Sequence, residues 1–206
     1  MNIIQIYNQY SIPKNLQLHM LRVTSIAKII TDNWTGSAIN ADAVIRACLF
    51  HDIAKPMKFD LTKQLKFGLS QTEVENIKSM KRELQEKYGD DEYTVARAIC
   101  KDVGCSAETI KIMENLSWRA VPMLIEKQDM ESLVLLYSDM RISPYGIMTL
   151  KQRLEDLKSR TGEDIHEENG ITAEKVIASN VSVDLNKISE EDLARNFSSL
   201  ESIYFS

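Results

Sequence analysis

The chain has 206 residues, 44% of them apolar and 27% charged, and a net charge of −5. That is an ordinary globular composition with enough length for one sizeable core, so a disordered chain is excluded. The acidic balance and the lack of any Lys/Arg-rich block exclude duplex nucleic acid as a partner, whereas a small phosphorylated ligand needs only two or three local cations.

Only 7 glycines and 4 prolines punctuate the sequence, which favours long helices over many short strands. Residues 14–31 carry Leu16, Val23, Ile26, Ala27 and Ile30 at helical intervals, and Trp34-Thr-Gly36 breaks the pattern. Asn40 or Ser37 caps a second helix with Ala41, Val44, Ile45 and Cys48 on its inner side. That helix runs into His51-Asp52 and must stop before Pro56. Residues 57–69 read as a loop. Ser70 with Glu73 has the form of a capping box for a helix over 71–87, ended by Gly89. Glu92 to Val103 follows, ended by Gly104, and Ser106 caps a helix to about 116. The segment 128–142 is helical and leads into a turn, Ser143-Pro144-Tyr145-Gly146. Residues 147–159 form a further helix, Ser159 to Gly170 reads as an exposed loop, and Ile171–Ala178 and Glu190–Asn196 are helical. No strand pair is predicted, although Val181 to Asp184 alternates briefly.

No stretch approaches the roughly 18 apolar residues of a membrane span, so no membrane partner is expected. Met-Asn-Ile-Ile-Gln-Ile-Tyr at the start lacks the charged region and apolar run of a signal peptide. Cys48, Cys100 and Cys105 are an odd set without zinc-site spacing and read as reduced thiols in a cytoplasmic protein.

The informative feature is where the rare polar residues fall. His19 lies on the same stripe as Leu16, Val23, Ile26 and Ile30. His51 follows Ala47 by four, Asp52 follows Cys48 by four, and Asp139 follows Leu136 by three. Each of the four therefore faces the interior. Burying carboxylates and imidazoles together costs free energy unless they are compensated, and one divalent cation compensates all of them. Two imidazoles and two carboxylates suit Mn, Fe, Co, Ni or Zn better than Mg. The competing reading takes each residue singly: a satisfied core histidine for His19, a cap or surface pair for His51-Asp52. The chain has only 3 histidines; the third, His166, stands in an acidic run, Glu163 to Glu168, that reads as a solvated loop.

Those residues resemble the HD superfamily of metal-dependent phosphohydrolases. His19 stands in His-Met-Leu-Arg-Val-Thr-Ser-Ile-Ala, His51-Asp52 in Leu-Phe-His-Asp-Ile-Ala-Lys-Pro, and Asp139 in Leu-Tyr-Ser-Asp-Met-Arg-Ile-Ser. These are similar to the family's first histidine, its His-Asp doublet and its final aspartate, and the likeness covers roughly residues 14 to 159. The resemblance implies an all-α fold. Residues 1–160 would form one compact HD-like bundle, with 161–206 as a helical C-terminal extension packed on it. It implies one divalent metal ion held by His19, His51, Asp52 and Asp139. It also implies hydrolysis of a phosphate ester, often a nucleotide, in which Asp52 also orients the attacking water. Lys55 is the candidate phosphate contact and Arg141 a second one. Arg22 resembles a family arginine but reads equally well as a salt bridge locking the first helix. The sequence departs from dinuclear members in having no histidine between 52 and 165. Glu92, Tyr93 and Asn115 stand where further ligands would be expected, so a single metal is predicted. No general acid is assigned, since nothing places Asp32, Asp60 or Glu73 at the site.

Three functions follow: a phosphohydrolase acting on a nucleotide or other small phosphate ester, an HD-fold binding or regulatory module with little turnover, and a purely structural helical protein. The substrate pocket is expected to take its walls from 57–70 and 115–130. Trp118, Met123 and Ile203 to Phe205 are expected to close the core, with an oligomer as the alternative.

Overall fold

The computed structural model describes residues 1–161 and 167–205. The chain is 72% helical. In order, the helices are α1 (Ile3–Gln9), α2 (Lys14–Asp32), α3 (Ala41–Phe50), α4 (Leu61–Gln64), α5 (Gln71–Tyr88), α6 (Glu92–Asp102), α7 (Ala107–Ile112), α8 (Val121–Glu126), α9 (Met130–Met140), α10 (Leu150–Thr161), α11 (Glu167–Ala178) and α12 (Glu190–Glu201). Two short strands, β1 (Ile142–Ser143) and β2 (Gly146–Ile147), form an antiparallel hairpin after α9. No described helix is long and apolar enough to cross a membrane.

The helix starts follow from side-chain oxygens that take up otherwise unpaired backbone N–H groups. Asn40 caps α3 by accepting from Ala43 N at 3.1 Å. Its amide donates to Glu108 on α7, and its backbone N–H donates to Glu131 on α9. One cap thus fixes three helix ends. Ser70 and Glu73 form the predicted capping box of α5. Gly89 ends that helix in the left-handed region, at a φ of 88°.

The centre of the molecule is the packing of α2 against α3, α9 and α12. Helix α2 buries Met20, Val23, Ile26, Ala27 and Ile30 completely, α3 buries Val44, Ala47, Cys48 and Phe50, and α9 buries Leu133 to Leu135. Leu193 of α12 accepts a hydrogen bond from the Ser25 hydroxyl at 2.9 Å, which docks the last helix on α2. Ala173, Ile177, Leu193, Leu200 and Phe205 join the same core, so residues after 166 pack as an integral part of it. Phe205 and Trp118 are buried, as expected, whereas Met123 and Ile203 are only partly covered and Tyr204 is exposed, contrary to the expectation that it closes the core.

Several elements differ from the sequence reading. Residues 57–69 are not an open loop; 3₁₀ turns at Lys55–Lys58 and Leu65–Phe67 flank α4, because Asp60 caps that short helix. The hairpin is a strand pair where none was predicted, too short to show alternation. Gly146 closes it at a φ of 122°, and a Cβ there would collide with the Glu190 carboxylate. Helices α10 and α11 reach into the segment expected as a loop, so Ser159, Arg160 and Glu167 to Gly170 are helical. His166 lies outside the described residues. Helix α1 was not foreseen; it caps itself through Asn2 and Gln5 and buries Ile3, Ile6 and Tyr7.

Arg141 is the largest fully buried side chain, 1% exposed. Its guanidinium donates to the Tyr137 hydroxyl at 2.8 Å, to the Leu185 carbonyl at 2.9 Å and to the Met148 carbonyl. It therefore ties α9, the segment after the hairpin and the turn before α12 together, and its Nε and Nη1 donors are engaged inside the protein. The expectation that Arg141 contacts a substrate phosphate is corrected accordingly. Removing the guanidinium leaves the Leu185 and Met148 carbonyls without this donor, at about 1–3 kcal/mol for each buried unsatisfied group. Arg141→Ala should therefore lower the melting temperature by roughly ten degrees in a chain of this size. Calorimetry checks this, and a variant as stable as wild type would refute the structural role.

Candidate metal centre

His19 projects from the second turn of α2. His51 is the C-cap residue of α3, with Asp52 beside it, and Asp139 is the penultimate residue of α9. The helix packing brings three of these side chains to one point. His19 Nε2 lies 3.2 Å from His51 Nε2 and 3.1 Å from Asp139 Oδ1, and His51 Nε2 lies 3.5 Å from the same oxygen. The Asp52 carboxylate stands slightly farther out, with Oδ2 at 3.7 Å from His19 Nε2 and 3.9 Å from His51 Nε2. Its other oxygen, Oδ1, accepts from Lys55 Nζ at 3.2 Å.

The tautomer of His51 follows from its partner. Its Nδ1 is 2.8 Å from the carbonyl of Cys48, one turn back in α3. A carbonyl only accepts, so Nδ1 carries the hydrogen and Nε2 of the neutral ring presents its lone pair to the centre. Such a lone pair facing a second imidazole and a carboxylate oxygen requires either a proton or a cation between them. Burial pushes the His51 pKa down, but Asp52 and then Asp139 outweigh it and raise it to about 9. For Asp139, burial pushes upward, yet hydrogen bonds from His19 and His51 hold its carboxyl well below the usual carboxylate range. Its side chain keeps 38% of its surface open, so the burial is that of the oxygen turned to the histidines rather than of the whole group.

The donor set fits a divalent ion. Nitrogen and oxygen ligands about 2.1 Å from one ion sit roughly 3.0–3.4 Å from each other, and the three contacts here span 3.1–3.5 Å. His19, His51 and Asp139 form a group able to hold a metal, and Asp52 stands at its edge. Two imidazoles favour a first-row transition ion or zinc over magnesium.

Beside the cluster opens a cleft of about 490 Å³ that shares His51 with it. Its walls are Ala54, the face of α6 bearing Glu92, Tyr93, Ala96 and Arg97, Ile110 of α7, and Met113 and Glu114 in the 3₁₀ turn that follows α7. The sequence reading sought these walls in 57–70 and 115–130, and only Leu116 comes from there. Arg97 and Glu114 were missed. Glu92 and Tyr93 were noticed only as replacements for histidines, and the signal available for Tyr93 is an aromatic side chain left exposed in the first turn of an amphipathic helix. The other carboxylates considered lie elsewhere. Asp32 pairs with Lys28, Asp60 caps α4 and Glu73 closes the α5 capping box. Arg22 donates to Glu190 at 3.2 Å, which supports the salt-bridge reading of that residue.

A family model for the HD domain matches residues 17–130, more than half of the chain, and includes His19, His51, Asp52 and Lys55. Asp139 lies beyond the matched residues, so its place at the centre rests on geometry. No curated protein and no solved structure matches the chain.

The raised pKa of His51 has a consequence for the metal-free protein. A histidine with a folded pKa of about 9, against an ordinary value near 6.5, adds stability that is complete below about pH 6.5. That stability is lost as the pH rises through 9. Melting temperature in chelator should fall by several degrees from pH 6.5 to 9.5, and His51→Gln should remove that slope. Parallel profiles for the two proteins would refute the assignment.

Proposed function

The chain belongs to the HD-domain family, and on that premise we propose that it is a metal-dependent phosphohydrolase acting on a small phosphate ester, with nucleotides as the first class to try. One observation carries the reading: His19 Nε2, His51 Nε2 and Asp139 Oδ1 meet within 3.5 Å at the edge of an open cleft. We assign His19, His51, Asp139 and Asp52 as the residues that hold one divalent ion, Mn, Fe, Co, Ni or Zn. Bound there, such an ion supplies Lewis acidity, which acidifies water and offsets phosphate charge.

The remaining work falls to the chain itself. Asp52 turns one carboxylate oxygen toward the histidines and keeps the other on Lys55, an orientation suited to aligning an attacking water. Lys55 is half exposed, and burial, which lowers its pKa, is outweighed by Asp52, Asp139 and Glu92, so its ammonium stays charged. A charged ammonium with further N–H donors beside the cluster is positioned to receive a phosphate oxygen. The cleft walls would hold the rest of the ester and exclude water from it.

Elemental analysis of the purified protein should find about one transition-metal ion per chain, lost in Asp52→Ala together with any hydrolysis, since even an outer-shell partner of a metal ligand is typically worth about 10–100-fold. Hydrolysis is to be read on p-nitrophenyl phosphate and a panel of nucleoside monophosphates with each candidate metal added. Full activity in Asp52→Ala would sink the proposal, and a metal-loaded protein inert on the whole panel would favour a binding module instead.

Lys55→Ala should keep the metal and raise KM about tenfold, the loss of one charge-assisted hydrogen bond. An unchanged KM and kcat would reject its role.

A further inference from the structure

Three tyrosines leave most of their surface in solvent: Tyr93, Tyr145 and Tyr204. Tyr7, Tyr10, Phe50, Trp118, Tyr137 and Phe205 are buried, whereas Tyr93 leaves 62% of its surface in solvent. Tyr93 adds little to the core, yet it lines a cleft that also contains a residue of the metal centre. Arg97 lies four positions on, hence on the same face of α6, and also lines the cleft. Between them Ala96 is small enough for a flat group to approach the wall. Ile110 and Met113 supply apolar surface opposite.

The charges of the cleft narrow the occupant. Glu92 and Glu114 contribute two carboxylates against the single guanidinium of Arg97. Arg97 meets Glu114 at 3.7 Å with both side chains about half exposed, so that pair is weak and can rearrange around a ligand. A second phosphate would face net negative charge there. An uncharged ring whose edge carries hydrogen-bond donors and acceptors would meet a π-face, a guanidinium and two acceptors.

We propose that this cleft is the subsite for the alcohol part of the ester, that the alcohol carries an uncharged flat aromatic ring, and that Tyr93 stacks on the ring while Arg97 and Glu114 bond its edge. Tyr93 is then a specificity-determining residue, and monophosphates of ring-bearing alcohols are preferred over sugar phosphates and over di- or triphosphates. Naming the occupant as part of an ester rests on the phosphohydrolase reading; the ring subsite itself does not.

The test is therefore a binding measurement that needs no turnover. Purified protein is titrated with adenosine, benzyl alcohol and ribose, and binding is followed by ligand-observed NMR. Adenosine should bind and ribose should not. Benzyl alcohol separates a nucleobase site, where it binds far more weakly than adenosine, from a general aryl site, where the two are similar; either result upholds the ring subsite. Tyr93→Ala should weaken adenosine binding roughly five- to a hundredfold, the range seen for loss of base stacking, and Tyr93→Phe should restore it. Ribose binding as well as adenosine, no binding of either ring, or unchanged affinity in Tyr93→Ala would overturn the proposal. Adenosine binding by a metal-loaded protein inert on the whole ester panel would count against the hydrolase reading and leave the ring subsite standing.

Discussion

Everything else in this molecule is arranged around an electrostatic demand at its centre. Two imidazole edges and a carboxylate oxygen approach within 3.5 Å beside a mainly apolar core. Uncompensated, such a meeting would push the helices apart. It persists because positive charge, as protons or as a divalent ion, is stabilised there by Asp52 and Asp139 together. The apolar faces of α2, α3 and α9 hold their polar residues at fixed positions, and the Asn40 cap and the Arg141 network keep those helices in register. The core is thus both the scaffold of the site and the reason its groups cannot move away from one another.

What could be read in the sequence was what is written locally. The stripe from Leu16 to Ile30, the caps at Asn40, Ser70 and Ser106, and the stops at Gly89 and Gly104 each depend on neighbours within a turn or two, and the structure places them so. The membership of His19 in its stripe and of the His51-Asp52 doublet in the end of α3 is of the same kind. Arg141 shows the opposite case. Two positions past Asp139 it looked available for an anion, yet its partners are Leu185 and Met148, reached only through the fold of the hairpin and the approach to α12. No local pattern distinguishes a guanidinium that faces solvent from one that closes a core.

The cleft was illegible for a related reason. Its walls are the solvent side of α6, and α7 with the 3₁₀ turn that follows it; the sequence periodicity of these helices describes only their buried sides. Exposed positions such as Tyr93 and Arg97 carry no periodic constraint, so their gathering beside His51 depends on where α6 docks. The segments that seemed free to wall a pocket, 57–69 in particular, are instead drawn into short helical turns.

The spacing of the centre's residues along the chain also fixes when the site can exist. His19, His51 and Asp139 come from three separate helices, and 88 positions divide the last two. A loop of that length closes late and against a substantial entropic cost. The site is complete only after α9 has docked, so an ion cannot serve as the seed about which the chain first collapses. An ion held there would act on the other side of the barrier, slowing escape from the finished structure more than it hastens arrival there.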